Sequence, residues 1–265
     1  MMEDFVKVHV MHTGQLKYDQ AVAFKELDVI PPVNFRGESY QQVVPVSSYL
    51  IEHSKGWIVV DTGWHEDIRK NPREHLGDDL YQFIEYTLPE GMSVREQLES
   101  KNIVPQDINT VIITHLDIDH ISGIELLKDA KRILVSEPEW GNIEEVKQHL
   151  IRDIYLEPFK LETIPYGPYN LGKDLFGDGQ IYLVFTPGHT PGHLSVLVRV
   201  ANGWLLLASD VGYAEKSWKE LILPGNTTNE NQAMKSLLWV QEFSQRKDCV
   251  AVIANHDSFI QPRLF

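Results

Sequence analysis

The 265-residue sequence predicts an α/β fold, and three observations carry that prediction. Short β-branched strands recur, followed by helical stretches and then by strands whose C-terminal ends carry a His or Asp. The run Val111-Ile112-Ile113 leads directly into Thr114-His115-Leu116-Asp117-Ile118-Asp119-His120, which places four metal-capable side chains within six positions. The composition is 43% hydrophobic, which suffices for a large buried core. No Pro-, Gly- or Ser-rich linker interrupts the chain, so residues 1–265 read as one domain.

In order, Phe5–Val10 alternates as a first strand. His12 to Gln42, with Pro31-Pro32 and Gly37, reads as an irregular segment whose aromatics Tyr18, Phe24, Phe35 and Tyr40 either line a pocket or pin the loop, with pinning the first expectation. Val43–Glu52 and Trp57–Val60 form a hairpin through Ser54-Lys55-Gly56, and the second strand runs into Asp61-Thr62-Gly63. An acidic insertion bearing Trp64, Tyr81, Phe83 and Tyr86 extends to about Gly91. Ser93-Val94-Arg95-Glu96 has capping-box spacing and starts a helix ending near Lys101. Asn109–Thr114 is the strand that feeds the His/Asp cluster.

Arg132–Val135 then reads as a strand, Pro138 to about Arg152 as a helix, and Gln180–Phe185 as a strand ending at Thr186-Pro187-Gly188-His189. Leu194–Val200 and Trp204–Ala208 form a hairpin turning at Ala201-Asn202-Gly203, where Asn-Gly is a strong turn signal. A helix from Glu230 to Arg246 shows the apolar stripe Ala233, Leu237 and Val240, with Met234 and Leu238 beside it. Val250–Ile253 closes the series and leads into Asn255-His256-Asp257.

The charge pattern narrows the function. Net charge is −14 and no Lys/Arg stripe is present, which argues against a nucleic-acid partner. The N-terminus lacks an apolar signal region, and no run of about 18 apolar residues suggests a membrane span. The single cysteine, Cys249, precludes an internal disulfide and reads as a small buried strand residue. A cytoplasmic protein is the expectation.

Strand-like backbone repeats its facing every two residues, so His115, Asp117 and Asp119 are expected on one side. Two imidazoles and two carboxylates in a stretch without Lys or Arg call for a cation, and both groups ligate divalent transition metals.

The strand-end groups His115, Asp117, Asp119, His120, His189, Asp210 and His256 occur in motifs that resemble the metallo-β-lactamase superfamily. The motifs are Ile58-Val59-Val60-Asp61-Thr62-Gly63, Thr114 to His120, Thr186-Pro187-Gly188-His189-Thr190-Pro191-Gly192-His193, Ser209-Asp210 and Ala254-Asn255-His256-Asp257. The resemblance spans Val43 to His256. It implies a four-layer αββα sandwich with a dinuclear site, in which His115, Asp117 and His189 hold one metal. Asp119, His120 and His256 would hold the second metal, and Asp210 would bridge the two.

Asp61 reads either as an acceptor that orients a ligating His or as a strand-end turn residue, and the two roles are compatible. The superfamily pattern is His-x-His-x-Asp-His, and Asp117 stands here where the second His is usual. A carboxylate there shifts preference towards iron or manganese, although zinc comes first by resemblance.

Within the superfamily the chain most resembles the N-acyl-homoserine lactonases, through Pro45-Val46-x-x-Tyr49-Leu50, Asp210-Val211-Gly212-Tyr213 and His256-Asp257 near the chain end. That resemblance implies a small-molecule lactone or ester substrate opened by a metal-bridged hydroxide. Tyr213 would support the oxyanion, and Asp119 or Asp210 would carry the proton to the leaving oxygen. For Tyr213 the alternative is packing under a loop.

The insertion from Trp64 to Gly91 and the segment Tyr155–Phe176, with Tyr166 and Tyr169, are expected to shape an acyl-chain pocket. His9, His12, His53, His65, His75, His149 and His193 are expected to be spectators. A homodimer fits the resemblance, but no stretch specifies one. The rival readings are a thioesterase of the glyoxalase-II type, another ester hydrolase of the fold, or a metal-binding protein without catalysis.

Overall fold

The computed structural model describes residues 5–29, 36–82 and 85–265. Pro31, Pro32, Phe35 and Phe83 lie outside them. Among the described residues one sheet comprises β1 (Lys7–Asp19), β2 (Gln41–His53), β3 (Gly56–Val60), β4 (Glu85–Thr87), β5 (Ile108–Ile112), β6 (Ile133–Ser136) and β7 (Glu157–Phe159). Its strand order is β4-β1-β2-β3-β5-β6-β7. The other comprises β8 (Glu162–Thr163), β9 (Leu171–Asp174), β10 (Ile181–Phe185), β11 (Leu194–Val200), β12 (Gly203–Ser209) and β13 (Cys249–Ala254), ordered β13-β12-β11-β10-β9-β8.

Alternation along the strands sorts the apolar residues into three layers of core. Ile58, Val60, Ile112 and Leu134 from the first sheet meet Leu183, Val196, Leu205, Leu207 and Ile253 from the second between the sheets. The opposite facing of the first sheet, Val59, Val111, Ile133 and Val135, packs against Val94, Leu98, Ile121, Ile124 and Leu127. The opposite facing of the second, Val184, Leu197, Leu206 and Ala254, packs against Ala233, Leu237, Val240 and Phe243 of the helix Glu230–Ser244. Strands buried on both faces must be apolar at every position, and helices cover the outer faces. The result is the expected αββα sandwich.

The directions of the strands position the site. β3, β5 and β6 run parallel. In the second sheet β12 and β13 run parallel, and β10 and β12 are both antiparallel to β11. The strands that feed the ligand motifs therefore end together at one edge.

Several boundaries differ from expectation, each for a local reason. β1 continues to Asp19, through the stretch expected to be irregular, because Gly14 (φ 108°) absorbs a register shift between His12 and Gln15. A Cβ at Gly14 would lie 2.6 Å from Trp64 Cδ1, so the bulge also makes room for that indole. The Ser93 capping box forms with both hydrogen bonds, but its helix stops at Glu99.

The helix expected over Pro138–Arg152 breaks into Glu137–Trp140 and a 3₁₀ segment Glu145–Ile151, with Gly141 and Asn142 between them. Cys249 lies at the start of β13 but is only part-buried. No helix among the described residues is long and apolar enough to cross a membrane.

Candidate metal centre

The stretch after β5 does not continue as a strand. His115 and Asp117 lie in a loop, and Asp117 precedes a short helix, Ile118–Ile121, that carries Asp119 and His120. The expectation that His115, Asp117 and Asp119 share a side fails at Asp119, because helical turning sends it the other way. His115 and Asp117 instead group with His189, while Asp119 and His120 group with His256. Asp210 follows β12 and sits between the groups, with oxygens 3.4 Å from His120 Nε2, 3.2 Å from His256 Nε2 and 3.9 Å from His189 Nε2.

Each of the four histidines has one nitrogen held by the protein. His120 Nδ1 is 2.8 Å from Asp61 Oδ2, His189 Nδ1 is 2.7 Å from Asn226 O, His256 Nδ1 is 2.9 Å from Pro45 O, and His115 Nδ1 is 3.0 Å from Thr114 Oγ1. The other nitrogens point at the carboxylates. An outer acceptor that fixes the ring while Nε2 faces inward is the arrangement metal-ligating histidines need.

Asp61 has the geometry that each role considered for it requires. It takes a left-handed φ of 56° at the end of β3, and it also accepts from Thr114 N and Thr114 Oγ1 at 2.8 Å each.

Several polar atoms here are buried and unpartnered: His115 Nε2, Asp119 Oδ2 and Asp210 Oδ1. A buried polar group without a partner costs about 1–3 kcal/mol, and a cation shared by these atoms would remove that cost. The donor set of imidazole nitrogen and carboxylate oxygen suits divalent transition metals. The residues present therefore fit the metals that the fold implies.

The electrostatics agree. Burial opposes charge on Asp117 and Asp210, yet Lys147 beside the first, and His256 and His120 beside the second, hold both well below the usual carboxylate range. Burial likewise opposes charge on His120, but Asp119, Asp61 and Asp210 raise it well above the ordinary imidazole range. These are the attractions a cation would replace.

Tyr213 reaches the rim of the site. Its ring stacks on His256 at 4.9 Å and lies 6.3 Å from His189. Burial, reinforced by Asp210, raises its phenol well above the usual value, so it stays protonated.

Glu139 and Lys147 escaped sequence reasoning, whereas Tyr18, expected to pin a loop or line a pocket, lies beside the site. Tyr18 packs edge-on against Tyr213 at 5.6 Å, because β1 runs further than expected. Glu139 is buried and accepts from Leu116 N (2.8 Å), Thr190 Oγ1 (2.7 Å) and Gly192 N (2.8 Å), which ties the two ligand loops together. Gly192 is required there, since a Cβ would lie 2.0 Å from Glu139 N. Lys147 is buried with its ammonium 2.5 Å from Asp117 Oδ1, so the cluster does have a basic neighbour despite its absence from the local sequence. No short motif announces contacts made across such sequence separations.

Two of the expected pocket elements are elsewhere. Trp64 is fully buried in the outer core and donates to Gln15 O, while Tyr166 packs on Tyr182 and on Trp204, at the end of β12 remote from Asp210. His193 does not face the carboxylate oxygens. Its Nε2 accepts from Asp210 N at 3.1 Å and its Nδ1 lies 3.1 Å from Thr186 O, which fixes the turn after β12.

Residues 42–247 match the family description "Metallo-beta-lactamase superfamily". The chain belongs to the metallo-beta-lactamase superfamily, whose ligand chemistry is that of divalent metal ions. It is similar to the N-acyl homoserine lactonase AttM of Rhizobium radiobacter, 29% identical over 84% of this chain and 85% of that one. It is also similar to AttM of Azorhizobium caulinodans, 28% identical over 95% and 93% of the two chains.

Among solved structures, an N-acyl homoserine lactone hydrolase with N-hexanoyl-L-homoserine at its catalytic metal centre superposes with a TM-score of 0.77. It is 22% identical over 96% of this chain and 94% of that one. The dizinc quorum-quenching lactonase AidC superposes at 0.68, with 15% identity over 96% and 88% of the two chains. At these identities the structural likenesses speak for the fold.

Proposed function

We propose that this metallo-hydrolase opens lactone rings, with N-acyl-homoserine lactones as the first substrate class. The observation that carries the reading is the pairing of two convergent three-ligand groups with a protonated phenol, Tyr213, stacked on one of their histidines. The relatives named as lactonases support it.

His115, Asp117 and His189 would hold one metal, Asp119, His120 and His256 the other, and Asp210 would serve both. Zinc is the first choice, and Asp117 brings iron or manganese within range. Two such ions, when bound, supply a water acidic enough to attack near neutral pH and polarise the carbonyl.

The chain's own residues do the rest. In ring opening, water adds its oxygen to the carbonyl carbon, the ring C–O bond breaks, and the departing oxygen takes a proton. Tyr213 donates a hydrogen bond to oxygen bearing developing negative charge. Asp119, whose Oδ2 makes no hydrogen bond within the protein, accepts the proton from water and passes it to the leaving oxygen. Tyr18 and Tyr213 pack together beside the site, closer to where an acyl chain would extend than the remote Tyr166.

The test is a side-by-side assay of a homoserine lactone, a thioester and a phosphodiester on metal-loaded protein. Lactone turnover should dominate. Tyr213→Phe should keep full metal content and lose about 10²–10³-fold in lactone kcat, the cost of removing one oxyanion donor. Wild-type kcat in that variant would remove Tyr213 from the reaction, and a preference for thioester would replace the substrate class.

A further inference from the structure

Lys147 is unexpected beside a site that should gather cations. It sits on the 3₁₀ segment Glu145–Ile151, held down by Leu150 and Ile151 in the outer core, and its side chain is only 10% exposed. Its ammonium donates to Asp117 Oδ1 at 2.5 Å and to Glu144 Oε1 at 2.7 Å. The other Asp117 oxygen, Oδ2, points into the site, 3.0 Å from His189 Nε2 and 3.5 Å from His115 Nε2. The carboxylate is thus divided, with one oxygen for lysine and one for the ligand cluster. Asp117 occupies the last position before the helix Ile118–Ile121, yet its side chain makes no capping hydrogen bond.

We propose that Lys147 is a positioning residue that, together with Asp117, does the work of a neutral imidazole. This rests on the metallo-hydrolase reading above. An Asp in place of the usual His adds one negative charge to the ligand set, and a buried ammonium on its outer oxygen cancels that charge. Glu144 does not undo the balance, since its side chain is 64% exposed and screened by water. With Oδ1 committed to lysine, Asp117 presents a single ligand atom, as an imidazole does. Replacing either partner alone changes the site's charge by one unit, and replacing both restores it.

Zn²⁺ and Mn²⁺ dissociation constants, measured on the full chain by chelator competition with metal counting, test this without reference to turnover. Removing one unit charge a few ångström from a divalent ion changes its energy by several RT even at an effective dielectric of ~20, so Lys147→Met should bind metal more than about tenfold tighter. Asp117→His, which leaves the lysine uncompensated, should bind more than about tenfold weaker. The double variant Asp117→His/Lys147→Met should return to within about threefold of wild type, as should Lys147→Arg, because each keeps the net charge.

Unchanged or weaker binding in Lys147→Met, or a folded double variant no better than Asp117→His, overturns the proposal. If Lys147→Met does not fold, the comparison of Asp117→His with the double variant carries the same test. Two equivalents in wild type with no difference among variants would sink the charge pairing alone. A wild-type protein that takes up no metal would sink the underlying reading as well.

Discussion

The groups His115–His120–His189–His256 and His65–His75 use the same side-chain types and differ in where their lone pairs point. In the first, the rings of His115 and His189 meet at 83° and those of His120 and His256 at 89°, so in-plane nitrogens converge on shared points between carboxylates. In the second, His65 and His75 stack 4.6 Å apart with 17° between their planes, and near-parallel rings cannot both direct an in-plane lone pair at one ion. His65 Nδ1 also already accepts from Asp67 N at 3.0 Å.

The electrostatics diverge in the same sense. Burial works against charge in both places, but buried carboxylates raise His120, His189 and His256, whereas His65 and His75 are lowered. His65, Asp67 and His75 also bring ligand atoms close together, so what distinguishes the first group is convergent in-plane nitrogens and unmet charge.

The largest effect should come from breaking the convergent group at its centre. Asp210→Ala removes the carboxylate that faces both triads. Metal-assisted hydrolysis owes several kcal/mol to charge stabilisation, so turnover should fall by about a thousandfold or more. Metal content should drop below the wild-type count by mass spectrometry of the desalted protein. In contrast, His65→Gln should leave the metal count unchanged. Loss of one equivalent in that variant would mean that the stacked pair ligates after all.

A smaller effect isolates the outer support. Asp61→Asn keeps a residue tolerant of the left-handed backbone at φ 56° but exchanges one carboxylate oxygen for an amide against Thr114 or His120. Metal affinity should weaken by about 10–100-fold, as for other residues that orient a ligating histidine. Retained wild-type affinity would leave Asp61 with its turn role alone.

The same contrast explains how much was legible beforehand. The seven ligand candidates were visible because strand ends announce themselves through a β-branched run followed by His or Asp, and parallel strands must end together. Strand periodicity does not give their partition into two triads, which only the family resemblance implies. The partition depends on the backbone turning helical between Asp117 and Asp119, a local switch that strand periodicity cannot register. Lys147 and Glu139 are illegible for another reason. Their site contacts span 30 residues for Lys147, and 23 to 53 for Glu139. The lysine also sits in a stretch that reads as one helix, Pro138 to about Arg152, which Gly141 and Asn142 break.

The smallest effect belongs to the stacked pair, and it is a pH dependence. Burial, assisted by the neighbouring His65, depresses His75 to about 4, while His75 Nε2 contacts Ser122 Oγ at 2.9 Å. Between about pH 4 and 6.5 the unfolded chain therefore binds a proton at this residue that the folded chain refuses. Stability rises with pH wherever the unfolded state binds more protons, so this contribution is present above 6.5 and is lost as pH falls towards 4. Glu26 and Glu96, lowered to about 2 by their arginine partners, lose their contributions only below their ordinary value of 4.5. The interval from 4.5 to 6.5 thus reports on histidines. Urea midpoints of metal-loaded wild type and His75→Gln, compared across that interval, cancel the contribution of the metal centre. The wild type should lose stability more steeply on acidification than the variant. Parallel curves would show that His75 already titrates in the folded protein, and that the stacked pair is more open to water than its burial indicates.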